Sequence, residues 1–189
     1  EFILLSPAVH ALFLYCEARG DFHAGAVLFA AAEAELDAGR IAGVDGELRL
    51  GPLHGQVCVH LGACEVHLGN FEFGEQLLLN GLQTSELPRE RAFALVYLGL
   101  AAAERGKLPL SRTHLQDSLA LSRASHDHAG IARALLYLLQ GHSDYAQAAS
   151  ICNESLAHAR KSGRPDLIAH VLIYLGFFKG CLGDYAAAT

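Results

Sequence analysis

The stretch Tyr97-Leu98-Gly99-Leu100-Ala101-Ala102-Ala103-Glu104-Arg105-Gly106-Lys107-Leu108-Pro109 decides the fold. Apolar residues at Phe93, Val96, Tyr97, Leu100 and Ala101 recur at intervals of three and four, the period of a helix with one buried face. Gly106 ends that helix, because glycine accepts the left-handed backbone that a C-terminal cap requires. Pro109 opens the next, where its missing N–H costs nothing. That second helix runs to about Ser125 and carries Leu115, Leu119 and Leu121. Pro7 after Ser6, Pro52, Pro88 and Pro165 after Gly163 suit the opening of further first helices. No segment alternates with period two over a useful length, so strands are not expected.

The same phrase recurs along the chain. Tyr97-Leu98-Gly99 has copies at His60-Leu61-Gly62, Tyr174-Leu175-Gly176 and, in degenerate form, Tyr137-Leu138-Leu139, spaced 37, 40 and 37 residues apart. A turn follows each: Gly69-Asn70-Phe71, Gly106-Lys107-Leu108, Ser143-Asp144-Tyr145 and Gly183-Asp184-Tyr185, spaced 37, 37 and 40. The fourth unit has therefore lost three residues inside and regained them afterwards. An earlier turn, Gly20-Asp21-Phe22, stands 49 residues before Phe71, which implies a glycine-rich insertion over 37–52. A fixed period of this size predicts a helical array in which each unit buries its apolar face on its neighbours. The units fall at roughly 6–38, 52–85, 88–125, 127–162 and a truncated 165–189, all within one domain.

These features resemble the tetratricopeptide-repeat family. Leu61-Gly62, Leu98-Gly99 and Leu175-Gly176 match its first-helix pair, and the Gly-Asp-Tyr-like turns match its turn. Small residues follow the turn aromatic at Gly25, Gly74, Ser111, Ala148 and Ala188, and seven further on at Ala32, Gly81, Ser118 and Ser155. The resemblance implies an all-α, right-handed superhelical solenoid of antiparallel helix pairs, about four and a half repeats long. Departures are the missing Trp, Phe13 and Leu136 where glycine is usual, and a unit of 37–40 residues. Longer units of this kind resemble those of large bacterial LuxR-type and related ATP-binding transcriptional regulators. That implies a protein-interaction or effector-sensing role.

Composition excludes several classes. Lys and Arg number 14 against 20 Asp and Glu, a net charge of −6, which leaves no basic surface for phosphates. No phosphate-loop motif and no basic recognition helix occur, and no apolar run reaches the roughly 18–20 residues of a membrane span. Direct contact with nucleic acid or membrane is therefore not expected. The absence of Met, even at position 1, reads as a piece of a longer chain. Cys16, Cys58, Cys64, Cys152 and Cys181 form no C-x-x-C pair, and four lie in apolar helical stretches, as expected of free thiols in a reducing cytoplasm.

Chemistry-bearing candidates are few. His60, Cys64 and His67 share one helix face and could hold zinc, with His54 as a fourth ligand. Asp127, within His126-Asp127-His128, suits a cap for the helix starting near Ala129. His142, Ser143 and Asp144 contain triad residue types, but three consecutive residues cannot form that geometry. Glu65 lies in an apolar helix, where burial would raise its pKa or a histidine would pair with it. No enzyme signature and no cofactor motif emerge. The groove positions implied by the resemblance are Gln56, Val59, Ala63, Phe93, Val96, Leu100, Arg133, His170, Ile173 and Phe177. An apolar groove with a single Arg suits an amphipathic helix, an extended peptide or a small ligand. A self-assembly scaffold using an uncapped C-terminal end, or docking to other domains of a parent chain, is the alternative reading.

Overall fold

A computed structural model describes residues 2–41, 50–140 and 144–183. Nine helices lie among the described residues: α1 Phe2–Arg19, α2 Phe22–Ile41, α3 Leu50–His67, α4 Phe71–Thr84, α5 Pro88–Glu104, α6 Leu108–Ala124, α7 His128–Tyr137, α8 Tyr145–Ser162 and α9 Pro165–Cys181. Strands are absent among these residues, as the missing period-two pattern predicts. Residues 42–49 of the glycine-rich insertion, His142, Ser143 and the segment 184–189 lie outside the described residues.

The turn phrase works as its chemistry dictates. Gly69, Gly106 and Gly163 have φ of 85°, 72° and 70°, in the left-handed region. Around Gly106, the Lys107 N–H reaches back to the Ala102 carbonyl at 2.8 Å and the Gly106 N–H to Ala103 at 2.9 Å. At the equivalent place before α7 stands His126 with φ of 54°, a non-glycine residue in the same region. Asp127 and Asp144 cap α7 and α8, their carboxylates accepting from the N–H groups of Ala129 and of Ala146 and Gln147. Pro7 departs from expectation. It sits inside α1 as the sixth residue rather than opening it, and its missing N–H leaves the Ile3 carbonyl without its i+4 donor.

Each helix packs against the next in the chain, and α1, α3, α5, α7 and α9 also touch in succession. Small residues set the spacing within a pair. A Cβ on Gly62 would lie 2.9 Å from the Gly74 carbonyl oxygen, and one on Gly81 would lie 2.6 Å from that of Gly55. In the next pair the Ser118 hydroxyl donates to the Ala92 carbonyl at 2.8 Å, and in the one after it Ser155 donates to Ala132 at 2.8 Å. The register is 26 residues in the pairs 55–81 and 92–118 but 23 in 132–155, so the same contact survives the three-residue loss in the fourth unit. That loss is visible as the short α7, 10 residues against 17 for α5.

Gly62 tests this close packing. Gly62→Ala would place Cβ 2.8 Å from Leu78 Cγ as well as against the Gly74 carbonyl, and should cost about 1–3 kcal/mol in urea unfolding. Gly180→Ala in α9 meets nothing within 4 Å and should instead gain up to about 1 kcal/mol. A neutral Gly62→Ala would mean that the helix pair does not depend on this contact.

Candidate functional site

Polar groups concentrate on the shared face of α1, α3, α5, α7 and the start of α9. Glu17 is at their centre, on the last turn of α1. Arg133 of α7 donates to both its carboxylate oxygens, at 3.0 and 2.7 Å. Arg164, the N-cap residue of α9, donates to Glu17 Oε2 at 2.8 Å and also pairs with Asp166. The Tyr97 hydroxyl of α5 donates to Glu17 Oε1 at 3.2 Å. Burial would push the Glu17 carboxyl up, but Arg133 and Arg164 outweigh it and hold the group below the usual range. Burial moves the Tyr97 hydroxyl well above its ordinary value, so it stays a donor. The Arg133 guanidinium also lies over the Phe93 and Tyr97 rings, 5.2 and 5.9 Å from their centroids.

Beside this network α1 delivers two rings. Phe13, fully buried, stacks on His60 at 5.2 Å and meets Phe93 and Tyr97 edge-on. His10 packs on Phe93 and brings Nδ1 within 3.4 Å of His60 Nε2. Glu90, on the first turn of α5, accepts from Gln56 Nε2 at 3.2 Å through Oε1, while its buried Oε2 has no hydrogen-bond partner. Burial raises the Glu90 carboxyl and lowers His60; burial followed by the field of Arg89 and Arg133 lowers His10 to about 4.

The expected groove is thus divided. Gln56, Val59, Ala63, Phe93, Val96, Leu100 and Arg133 are all buried, because side chains of α1 and neighbouring helices cover them. Their burial corrects the open groove read from the sequence. Only the α9 residues remain open: His170 is exposed, with Ile173 at 69 % and Phe177 at 60 % exposure. A cleft of about 320 Å³ runs beside them, lined by Glu17, Arg133, Tyr137, Asp166, His170 and Ile173 among others.

The His60, Cys64 and His67 face is likewise split among three neighbours. His60 turns to α1 and α5. Cys64 lies against Cys16 and Gly25, and burial pushes its thiol up to about 12, far from the thiolate that zinc needs. His67 stacks on Phe22 of α2, ring centroids 3.9 Å apart, and burial lowers it to about 4. Glu65 accepts from Asn70 Nδ2 at 2.6 Å and serves the turn rather than a histidine.

Among the described residues, two other groups bring three ligand-type atoms within 4.8 Å of one another: His10, His60 and Glu90, and Glu33, His54 and Cys58. In the second, His54 Nε2 stands 3.5 Å from Glu33 and 3.3 Å from Asp37. Sequence reasoning had His54 and His60 but missed His10, Glu17 and Glu90. Glu17 left one signal, a carboxylate closing the otherwise apolar run from Ala11 to Cys16. Glu90 after Pro88 reads as an ordinary first-turn acid suited to the helix dipole.

No protein-family model matches the chain, and no curated protein matches it significantly. No described helix is long and apolar enough to cross a membrane.

Two outcomes follow from this geometry. Glu17→Ala leaves the buried Arg133 guanidinium without its anion and Arg164 with Asp166 alone, and should cost about 3–5 kcal/mol in chemical unfolding; a loss under about 1 kcal/mol would show that the network contributes little. Acid should also weaken the fold. His10 and His67 hold no proton in the folded state until about pH 4, whereas the unfolded chain takes protons near 6.5. Their contribution is complete above that value and is lost as pH falls toward 4, with Glu17 and Asp166 acting in the same direction. Glu90, whose pKa is raised, acts in the opposite sense. The urea midpoint should therefore drop between pH 6.5 and 4; a flat profile would contradict the burial of these rings.

Proposed function

We propose that this chain is a tetratricopeptide-like interaction module, a right-handed solenoid of helix pairs that binds a helix or extended peptide through the α9 face. The observation that carries the reading is the exposed apolar strip Leu172, Ile173 and Phe177, at 45, 69 and 60 %, beside the cleft at Glu17, Arg133 and His170. Large side chains concentrated this way mark recognition surfaces more often than idle ones. The cleft adds a charged rim, with Asp166 at one edge and His170 at the other. Peptide recognition by a helical groove uses this combination of apolar anchors and flanking polar groups.

Three further features support the repeat reading. Helices pack in chain order, first helices touch in succession, and the close contacts recur at equivalent positions of successive pairs. The role is non-enzymatic: its binding energy would shift how successive helix pairs lie on one another and so pass a signal along the array. The unit length of 37–40 residues favours a regulatory parent protein of the bacterial transcription-regulator kind.

A displayed library of random helical peptides provides the test. Selection on the wild-type chain should enrich binders with spaced apolar anchors, and their affinity should fall at least about tenfold on Ile173→Asp with Phe177→Asp. Those exposed changes should leave thermal unfolding within about 0.5 kcal/mol of wild type. Phe93→Ala, in the core, should by contrast cost about 3–5 kcal/mol. Failure to enrich any sequence, or binders indifferent to the α9 changes, would sink the proposal.

A further inference from the structure

We infer that His10, His60 and Glu90 form a binding site for a single divalent transition-metal ion, zinc by preference, which clasps α1 to α3 and α5. The distances match the chemistry. His10 Nδ1 and His60 Nε2 are 3.4 Å apart, and His60 Nε2 is 4.0 Å from Glu90 Oε2. Ligand atoms about 2.0–2.1 Å from a tetrahedral zinc stand roughly 3.4 Å from one another. An ion therefore fits the His–His edge as it stands, and Glu90 must close on both imidazoles, since the three ligand atoms lie within 4.8 Å of one another.

Independent observations point the same way. Glu90 Oε2 is buried and has no hydrogen-bond partner, an arrangement that a carboxylate tolerates only when protonated or bound to a cation. The other oxygen is held by Gln56, which orients the free one, as outer partners of metal ligands do. A cavity of about 20 Å³ opens beside His10 and Glu90, room for the single water that would complete four ligands.

Charge also permits the ion. Three arginines stand nearby, but each has an anion: Arg89 pairs with Asp127, Arg133 with Glu17, and Arg164 with Glu17 and Asp166. Glu90 is the carboxylate of this region left without a cation of its own. Two imidazoles and one carboxylate suit zinc better than calcium or magnesium, which take oxygen ligands. Since the ligands come from the first helices of three sequence units, occupancy would fix how α1 lies across its neighbours. The inference does not depend on the α9 face binding a peptide.

Cobalt(II) is the probe, titrated into the 189-residue chain after chelator treatment. The expected result is one equivalent bound, visible absorption of a four- or five-coordinate centre, and no thiolate-to-cobalt band in the near ultraviolet. Zinc should displace the cobalt and raise the melting temperature. His10→Ala and Glu90→Gln, each checked for helical circular dichroism, should weaken binding at least about tenfold and abolish the zinc-dependent rise. The wild-type spectrum decides even where a variant fails to fold. A thiolate band would place the ion at Glu33, His54 and Cys58 and overturn the assignment. Absence of saturable uptake, or uptake unchanged in both variants, would overturn it equally.

Discussion

One carboxylate at the end of α1 governs how the helices meet. Glu17 accepts from Arg133 and Arg164, which lie 116 and 147 residues further along the chain, and from Tyr97, 80 residues along. Two guanidinium groups and a phenol cannot share one carboxylate unless α1, α5, α7 and the start of α9 converge on it. Pairing of this kind returns only part of the desolvation cost of its charges, so its contribution to net stability is modest. Its contribution to specificity is larger, because any other arrangement would leave charges buried and alone. The burial of Phe93 follows, since convergence brings His10 and Phe13 of α1 against its ring.

The framework carrying that network is built from small residues. Gly62 against Gly74 and Gly81 against Gly55 let backbones approach closer than any Cβ would allow. Where the glycines give way to Ser118 and Ser155, a hydroxyl donates to the opposing carbonyl at the equivalent position. Backbone polar groups at so close a contact need partners, and the hydroxyl supplies one. The three-residue loss in the fourth unit shortens α7 without disturbing this contact, so Arg133 still reaches Glu17.

Interior and exterior divide the chemistry between them. Inside, half-buried His10 and buried His60 and Glu90 hold their donor atoms together, an arrangement suited to an ion. Outside, α9 presents Leu172, Ile173 and Phe177, an arrangement suited to a partner's apolar side chains. Arg133 belongs to both regions: with Glu17 it lines the α9 cleft, and it also borders the small cavity beside His10.

Helix content, helix boundaries within a few residues and the turn chemistry were legible in the sequence, because each rests on neighbours in the chain. The period of Phe93, Val96, Tyr97 and Leu100 defines a helix, Gly106 ends it and Asp127 caps the next, all through contacts within one turn. The repeat spacing even disclosed the three-residue loss in the fourth unit. Pro7 departs from the local reading because Ser6-Pro7 has the form of a cap followed by a first helical residue, whereas α1 already begins at Phe2. The sites were not legible. Periodicity says that His60, Cys64 and His67 share a face, but not that this face is divided among α1, α2 and α5. Whether Phe93 and Phe177 are core or surface depends on which distant helix covers them, and the two look alike in sequence. Local backbone physics was determined by the sequence alone; the meeting of Glu17 with Arg133, and of His10 with His60 and Glu90, was decided only by tertiary packing, since it joins atoms that no local rule relates.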